Sequence, residues 1–400
     1  MSRRDFPKDD TMPQGELPER GATAPGPAAG ARAGRVIPLT LAQGPRLAQA
    51  PRPDVLPWDG PVPDMRGRIL RDLRISVTDR CNFRCSYCMP REAFGPDHAF
   101  LPHADLLSFE EIARLAGVFV ARGVRKLRLT GGEPLMRRHL ENLVALLSPL
   151  RTPDGAPVDL AITTNGSLLT RKAEVLAAAG LRRVTVSLDA LEPGRFRALS
   201  DSNIRVEDVL AGIDAAAAAG LGPVKVNVVV RGGVNDDQIL PIARHFRGSG
   251  HIVRFIEYMD VGTTNGWRAD EVVTGRRILD TIGEAYPLEP LPGNAVGEVA
   301  RRWRYADGAG EIGVITSISQ TFCGDCNRAR LSPEGGLYLC LFAEQGHDLR
   351  ALLRDGADDA RIAAAIDAIW RARTDAYSEQ RAALAPSRSQ RRIEMSYIGG

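Results

Sequence analysis

The chain has 400 residues, 44% of them hydrophobic and 25% charged, so it can bury a large core, and its length predicts two or more folding units. Its formal net charge of +3, from 52 basic and 49 acidic residues, does not indicate a nucleic-acid-binding or membrane-binding surface. The sequence has neither an apolar run of about 18 residues nor a secretory leader, so we expect a cytoplasmic protein.

The first segment, residues 1–65, is rich in proline, alanine, glycine and arginine and has no sustained apolar period. This composition predicts disorder. A transit peptide is the alternative, but aspartate and glutamate recur here, and transit peptides avoid acidic residues.

Strand-like and helix-like segments alternate through residues 66–265. The predicted strands lie in "RDLRISV", "VRKLRLT", "DLAITTNG", "RRVTVSLDA", "VKVNVVV" and "IVRFIEYMD". Ser108 and Glu111 form a capping-box pattern at the start of the first helix, and Gly123 marks its end. Six such alternations, against the eight of a closed barrel, predict an α/β fold with a partial, open (β/α)6 TIM-type barrel.

The pattern changes in residues 266–400. Short antiparallel strands are predicted in "ARRWRYA", "EIGVITSIS", "RARLS" and "LYLCLF", with helices near 348–354 and 358–373. We therefore expect a smaller C-terminal α+β domain. The basic and aromatic residues of "ARRWRYA" could also suggest nucleic-acid binding, but without a broad basic field a strand is the better interpretation.

Several motifs follow directly after the predicted barrel strands. They are Cys81, "TGGEP" at 130–134, "TTNG", "SLDA" and "MDVG". Because ligand groups of parallel α/β sheets lie at the carboxyl ends of the strands, these motifs should converge on one rim.

The six cysteines form two triads, which are Cys81, Cys85 and Cys88, and Cys323, Cys326 and Cys340. Thiolates favour zinc, copper(I) or iron–sulfur clusters. A structural zinc site needs four ligands, whereas three cysteines on a four-iron cluster leave one iron open. A zinc site completed by a distant residue remains the alternative, and the C-x2-C-x13-C spacing of the second triad also fits part of a zinc ribbon.

The motif C-x3-C-x2-C after a first barrel strand resembles the signature of the radical S-adenosylmethionine enzymes. The resemblance implies that the open iron holds S-adenosylmethionine, which is cleaved to a 5′-deoxyadenosyl radical. It further implies that "TGGEP" meets the amino group of this cofactor. The cofactor-binding residues implied in this way are Tyr87, Gly132, Ser187 and Met259.

Longer stretches between Gly67 and Gly400, including "SQTFCGDCNRARLS" and the final "YIGG", are similar to the superfamily members that cyclise GTP in the first step of molybdenum cofactor biosynthesis. The resemblance implies a lyase that forms (8S)-3′,8-cyclo-7,8-dihydroguanosine 5′-triphosphate by joining the ribose C3′ to guanine C8. A peptide-modifying radical enzyme with an auxiliary cluster is one alternative, and a non-catalytic zinc scaffold is another.

The same resemblance assigns further residues. The first cysteine triad would hold one [4Fe–4S] cluster and the second triad another, whose open iron binds the guanine. Contacts to GTP are implied for Arg74, Arg128, Thr163, Lys225, Arg328, Ala329 and Arg330, and catalytic roles for Arg74, Arg128, Gly399 and Gly400. The implied partners are an external electron donor, a second copy of the chain in a homodimer, and, by pathway, cyclic pyranopterin monophosphate synthase.

Overall fold

The computed structural model describes residues 47–54, 56–57, 59–295, 297–384 and 392–400. All of these residues belong to one compact unit, Gly44–Gly400. Most of the segment predicted to be disordered, residues 1–46 with 55 and 58, lies outside the described residues.

The strands of the described ranges are short, with three to six residues each. They are β1 (Leu47–Gln49), β2 (Asp72–Ser76), β3 (Lys126–Thr130), β4 (Asp159–Thr164), β5 (Arg183–Ser187), β6 (Lys225–Val230), β7 (Ile252–Glu257), β8 (Leu288–Leu291), β9 (Arg301–Tyr305), β10 (Glu311–Ile315), β11 (Arg328–Leu331), β12 (Gly336–Tyr338) and β13 (Gly346–Asp348). They form one sheet in the order β1-β13-β12-β11-β2-β3-β4-β5-β6-β7-β10-β9-β8.

Helices connect and cover these strands. In the described part of the chain they are α1 (Phe109–Ala121), α2 (Leu140–Leu147), α3 (Leu169–Ala178), α4 (Pro193–Ser200), α5 (Val206–Ala218), α6 (Ile239–Phe246), α7 (Gly275–Gly283), α8 (Leu349–Arg354), α9 (Asp359–Arg371), α10 (Tyr377–Leu384) and α11 (Met395–Ile398). None of the helices in these ranges is both long enough and apolar enough to span a membrane.

The predicted partial barrel is confirmed. Strands β2 to β7 pair in chain order, and every pair is parallel. Leu73 of β2 and Leu127 of β3 are neighbours in register and are fully buried, whereas Arg74 and Arg128 beside them line an internal cavity. Because successive side chains of a strand point to opposite faces, the leucines face the covering helices and the arginines face the barrel interior.

The start of α1 also agrees with the predicted capping box. The backbone N–H of Glu111 donates to Ser108 Oγ at 3.1 Å, and the N–H of Ser108 donates to Glu111 Oε2 at 2.8 Å. Such a cap satisfies two helix donors and stabilises a helix end by about 1 kcal/mol.

The C-terminal strands extend both edges of the barrel sheet. The predicted antiparallel pairing is confirmed for β9 with β10 and for β11 with β12, but β11 also pairs parallel to β2 and β10 pairs parallel to β7, which the sequence did not predict. As a result, β2 and β7, which are the two edge strands of the barrel, both have a neighbouring strand for their backbone hydrogen bonds. The division of the chain at residue 265 stays a prediction, since strands from both sides of it share one sheet.

Strand β1 lies within the range that was predicted to be disordered. Ala48 pairs with His347 in a parallel ladder between β1 and β13. Regular structure therefore begins before residue 65. The sequence signal was weak because β1 has only three residues and depends on a partner strand about 300 residues further along the chain.

Candidate active site

The barrel encloses a cavity of about 770 Å³ that runs along its strands, from Asp72 and Lys126 at their amino ends to Thr164 and Ser187 at their carboxyl ends. The strand-end motifs that were predicted to converge do line this cavity. All six cysteines of the chain also reach its wall, namely Cys81, Cys85, Cys88, Cys323, Cys326 and Cys340. The fold thus brings two cysteine triads, which are more than 230 residues apart in sequence, to one internal space.

The loop after β2 carries the first triad and turns tightly on its own backbone. The N–H groups of Cys88 and Met89 both donate to the carbonyl of Cys85, at 3.0 and 2.9 Å, and the N–H of Phe83 donates to Cys81 Sγ at 3.4 Å. Burial raises the pKa of the Cys81 thiol to about 12 and raises that of Cys85 well above its ordinary value. A bound cation would offset this cost of burying thiolates.

The "TGGEP" segment after β3 packs directly on this cysteine loop. The N–H of Gly132 donates to the carbonyl of Thr78 at 2.7 Å, and a β-carbon on Gly132 would overlap the carbonyl of Arg80. Glycine is therefore required here for the close approach of two backbones. Gly132 also lines the cavity, so its position fits its predicted role without testing it.

Tyr87, between the second and third cysteines, is held by a residue whose role sequence reasoning missed. Its hydroxyl donates to Asp189 Oδ2 at 2.6 Å, and Asp189 Oδ1 accepts from the N–H of Val229 at 2.8 Å. Burial raises the pKa of Asp189 to about 6. The available signal was the position of Asp189 in "SLDA", directly after β5.

A row of three arginines crosses the sheet on the cavity side. Arg330 of β11 pairs in register with Arg74 of β2, which pairs with Arg128 of β3. Adjacent strands are about 4.8 Å apart, so three positive charges stand side by side. The Nε atoms of Arg74 and Arg128 are buried without a hydrogen-bond partner. Burying three adjacent positive charges destabilises the folded protein unless an anion neutralises them.

Further cations line the same wall. The structure adds Lys126, Arg183 and Arg254 to the predicted residues. Burial, followed by nearby positive charge, lowers the pKa of Lys126 and of Lys225 to about 8 and that of Arg254 to about 9. The period-two alternation in "KLRLT" and "IVRFIE" could have placed Lys126 and Arg254 on the inner face.

The second triad lies around β11 and β12, next to β2 in the sheet. Cys323 begins a short 3-10 turn, Cys323–Asp325, and Cys340 follows β12. Arg328 Nη2 and Arg373 Nη2 donate to Cys326 Sγ at 3.2 and 3.3 Å. Burial acts to raise the pKa of Cys326, but the two guanidinium groups outweigh it and lower that pKa to about 6. A thiolate, the form that ligates iron, is thereby favoured.

Each triad brings three thiols to the cavity wall, and three is the number of cysteine ligands of a four-iron cluster with one open iron. In the described ranges, no three His, Cys, Asp or Glu side chains are placed to hold one metal ion. A four-iron cluster does not need such a point of convergence, because each cysteine ligates a different iron. The two sets of three thiols around one cavity therefore fit two iron–sulfur clusters.

The end of the chain enters the same cavity. Gly400 lines the wall, and the carbonyl of Ile398 accepts from Arg330 Nη1 at 3.5 Å. Gly399 has a φ of 77°, and a β-carbon there would overlap the hydroxyl of Thr130. Both a left-handed backbone and the lack of a side chain are thus needed at residue 399.

Two side chains that precede α11 hold the C-terminal tail, residues 392–400, in place. Arg392 Nη1 donates to the carbonyl of Asp260 at 2.6 Å, and Arg392 Nη2 donates to the hydroxyl of Tyr377 at 2.6 Å. Glu394 accepts from the N–H and the Oγ1 of Thr263, at 2.9 and 2.7 Å, and from Thr264 Oγ1 at 3.0 Å. The loop after β7 and Tyr377 of α10 therefore carry the anchors of the tail.

The remaining predicted residues divide into two groups. Ser187, Met259 and Thr163 line the cavity, and Thr163 Oγ1 already accepts from Arg128 Nη1 at 2.9 Å. Ala329 is fully buried in β11 and does not reach the wall with its side chain. Its predicted contact to GTP through the backbone stays a prediction.

Comparison with known proteins gives the family. The radical SAM superfamily profile matches residues 75–246, and the profile for Molybdenum Cofactor Synthesis C matches residues 251–379. The GTP 3′,8-cyclase of Acidothermus cellulolyticus is 55% identical, with 85% of this chain and 99% of that protein covered. The chain belongs to the GTP 3′,8-cyclase family. Relatives of the same name from Xanthomonas campestris and Staphylococcus aureus are 51% and 47% identical, with 85% of this chain and 98% and 99% of those proteins covered.

Solved structures support the fold. The crystal structure of Streptococcus suis SuiB matches 77% of this chain and 68% of its own chain, with a TM-score of 0.52 and 15% sequence identity. The resemblance stated from the sequence is confirmed, and the family decides against a peptide-modifying enzyme and against a zinc scaffold. Its members use S-adenosylmethionine and [4Fe–4S] clusters, which are the cofactors of this chain.

Proposed function

We propose that this chain converts GTP into (8S)-3′,8-cyclo-7,8-dihydroguanosine 5′-triphosphate, the first step of molybdenum cofactor biosynthesis, with S-adenosylmethionine and two [4Fe–4S] clusters. The observation that carries this proposal is a single cavity of about 770 Å³ whose wall includes both cysteine triads and the arginine row. Radical source and nucleotide would then meet in one water-restricted space.

The cysteine loop after β2 forms the S-adenosylmethionine end of the site. Cys81, Cys85 and Cys88 would ligate the first cluster, and when bound this cluster supplies the electron that cleaves S-adenosylmethionine to the 5′-deoxyadenosyl radical. Tyr87 and Gly132 line the wall beside these cysteines, and Ser187 and Met259 follow at neighbouring strand ends. The hydrogen bond from Tyr87 to Asp189 fixes the ring orientation there.

The arginine row forms the triphosphate end. Arg330, Arg74 and Arg128 stand side by side, and the Nε atoms of Arg74 and Arg128 are buried donors without partners. Guanidinium groups bind phosphate oxygens in bidentate fashion, and a low-dielectric wall strengthens the attraction. Lys225 and the additional cation Arg254 extend this surface along β6 and β7. A triphosphate would relieve the mutual repulsion of these charges.

The second triad forms the base end. Cys323, Cys326 and Cys340 would hold the second cluster, next to Arg328 and Arg373 on Cys326. An open iron there would give guanine a ligand position. With the triphosphate on the arginine row and the base at the second cysteine triad, the ribose would lie between the arginine row and this triad.

The tail would complete the wall near the reacting ribose. Gly400 lines the cavity and Gly399 packs on Thr130, and Arg392 and Glu394 hold the preceding turn in place. Arg392 and Glu394 are therefore proposed as positioning residues, which act through the two glycines.

The proposed partners follow from this chemistry. Cluster reduction needs an external electron donor, and six free thiols point to a reducing compartment such as the cytoplasm. The homodimer rests on the family resemblance alone. The product would pass to cyclic pyranopterin monophosphate synthase.

The test is anaerobic incubation of the reconstituted protein with GTP, S-adenosylmethionine and a chemical reductant. We expect about eight irons per chain with matching sulfide, and 5′-deoxyadenosine formation that depends on GTP and matches the cyclic product one to one. Stoichiometric zinc without sulfide, or 5′-deoxyadenosine without any GTP-derived product, would contradict the proposal.

A further inference from the structure

A second cavity, of about 380 Å³, opens on the outer side of the cysteine loop. Of the six cysteines, Cys81 lines both this outer cavity and the internal one. The other residues of the outer cavity are Asn82, Arg84, Arg91, Arg197, Asp201, Ser202 and Asn203. The first cysteine triad is thus approached from two sides, from the substrate cavity and from this opening.

The outer opening is positively charged. It has three arginines against one aspartate, which is a net charge of +2. Arg91 pairs with Asp201, Nε to Oδ2 at 2.7 Å, and the exposed guanidinium of Arg197 has no ion pair or hydrogen bond among the described residues. Arg84 is fixed in place, since its Nη1 donates to the carbonyl of Cys81 at 2.8 Å and its Nε to that of Phe94 at 2.8 Å.

We propose that this opening, bounded by Arg84, Arg91 and Arg197, is the docking surface for an acidic protein that carries single electrons. The proposal rests on the proposed function, which requires a reduced first cluster. In the step served here, the carrier is oxidised by one electron and the cluster at Cys81 is reduced by one electron. No bond forms or breaks, and no leaving group departs.

Three features favour this occupant. The internal cavity is filled by S-adenosylmethionine and GTP in the working enzyme, so an electron has to enter from outside. Cys81 is the cysteine of the first triad that lines the opening, and Arg84, which also lines it, donates to the carbonyl of Cys81. Electron-transfer encounters use small interfaces, below about 1,200 Å² in total, and depend on opposite charge for fast association.

The test uses the holoenzyme with both clusters and a reduced acidic flavodoxin as the probe. Binding is measured by flavin fluorescence at low ionic strength. We expect the double variant Arg91→Gln/Arg197→Gln to weaken binding about tenfold or more, and added salt near about 0.5 M to remove the difference. Arg197→Gln alone breaks no ion pair or side-chain hydrogen bond among the described residues. This single variant therefore keeps the test valid if the double variant loses its clusters.

Asp201→Asn is the matched control. It breaks the same ion pair as Arg91→Gln but leaves the opening more positive, and asparagine tolerates the left-handed backbone at this residue, where φ is 40°. The proposal expects Asp201→Asn to tighten flavodoxin binding and Arg91→Gln to weaken it. Changes in the same direction, or no change in either, would overturn it.

Turnover with reduced methyl viologen separates this inference from the proposed function. The viologen radical is a small cation and gains no attraction from an arginine surface, so no variant should turn over more slowly than the unmodified enzyme with this reductant. If the unmodified holoenzyme fails to cyclise GTP with viologen, the proposed function is wrong. If the unmodified holoenzyme cyclises GTP with viologen, but flavodoxin binds the arginine variants as tightly as the unmodified enzyme, only the proposed docking surface is wrong.

Discussion

Gly399 packs on Thr130 so closely that a β-carbon at residue 399 would overlap the threonine hydroxyl. Thr130 is the last residue of β3 and the first of "TGGEP", the segment that lies against the first cysteine loop. The end of the chain and the cysteine loop are therefore in contact with the same strand end. A small displacement of the tail would therefore shift the end of β3 and the segment that packs on the first cysteine loop.

Gly399→Ala should lower cyclisation about 100-fold or more, because the tail cannot stay in place beside Thr130, and misplacement by about 1 Å costs that much. Iron content and thermal unfolding should stay near those of the unmodified protein. Gly356→Ala is the matched control, since Gly356 also has a positive φ, of 78°, but has nothing within 4 Å of a new β-carbon. Thr130→Ala in the Gly399→Ala background should restore part of the activity.

Glu394→Ala should release the tail from the loop after β7, because three hydrogen bonds from Thr263 and Thr264 are lost. We expect kcat to fall about tenfold or more while KM for GTP changes less, since Glu394 acts through the glycines. The C-terminal residues should also become accessible to carboxypeptidase. Glu207→Ala on the surface of α5 is the control, and equal protection of the tail in both variants would contradict the anchoring role.

The apparent affinity for GTP should fall with rising pH. Burial and the neighbouring Arg254 lower the pKa of Lys225 to about 8, below its ordinary value, so the ammonium is charged below that pH and neutral above it. A neutral Lys225 attracts the triphosphate less, so KM for GTP should rise between about pH 7 and about pH 9. Lys126 titrates in the same range and adds to the effect.

Lys225→Arg is the matched variant, because a guanidinium keeps its charge across this range. It should flatten the pH dependence of KM. An identical pH profile in this variant would exclude Lys225 as the titrating group.

Cys340→Ser should separate the two clusters. The first triad lies on a different loop, so its cluster and the uncoupled cleavage of S-adenosylmethionine should persist. Formation of the cyclic product should be lost, because the proposed ligand position for guanine disappears. Iron content near half of the original and electron paramagnetic resonance of the remaining cluster check this outcome. Equal loss of cleavage would argue against separate roles for the clusters.

The barrel could be predicted from the sequence because each strand–helix unit is local. Alternating apolar residues mark β2 to β7, and the same alternation places Arg74 and Arg128 on the inner face. The outer strands could not be predicted in this way. The parallel pairing of β11 with β2 joins Arg330 to Arg74 across about 250 residues, and no local period encodes such a partner.

The sequence by itself determined the type of cofactor and the family. The spacing of the six cysteines specifies two incomplete ligand sets, and the motifs around them specify the family. Only the tertiary structure decided how these parts meet. It placed both triads on one cavity, joined three arginines into a row, set Gly399 against Thr130 and turned Cys81 toward an arginine-lined opening. The reason is physical: ligand types follow from side-chain chemistry, whereas charge clusters and close approaches depend on long-range strand pairing.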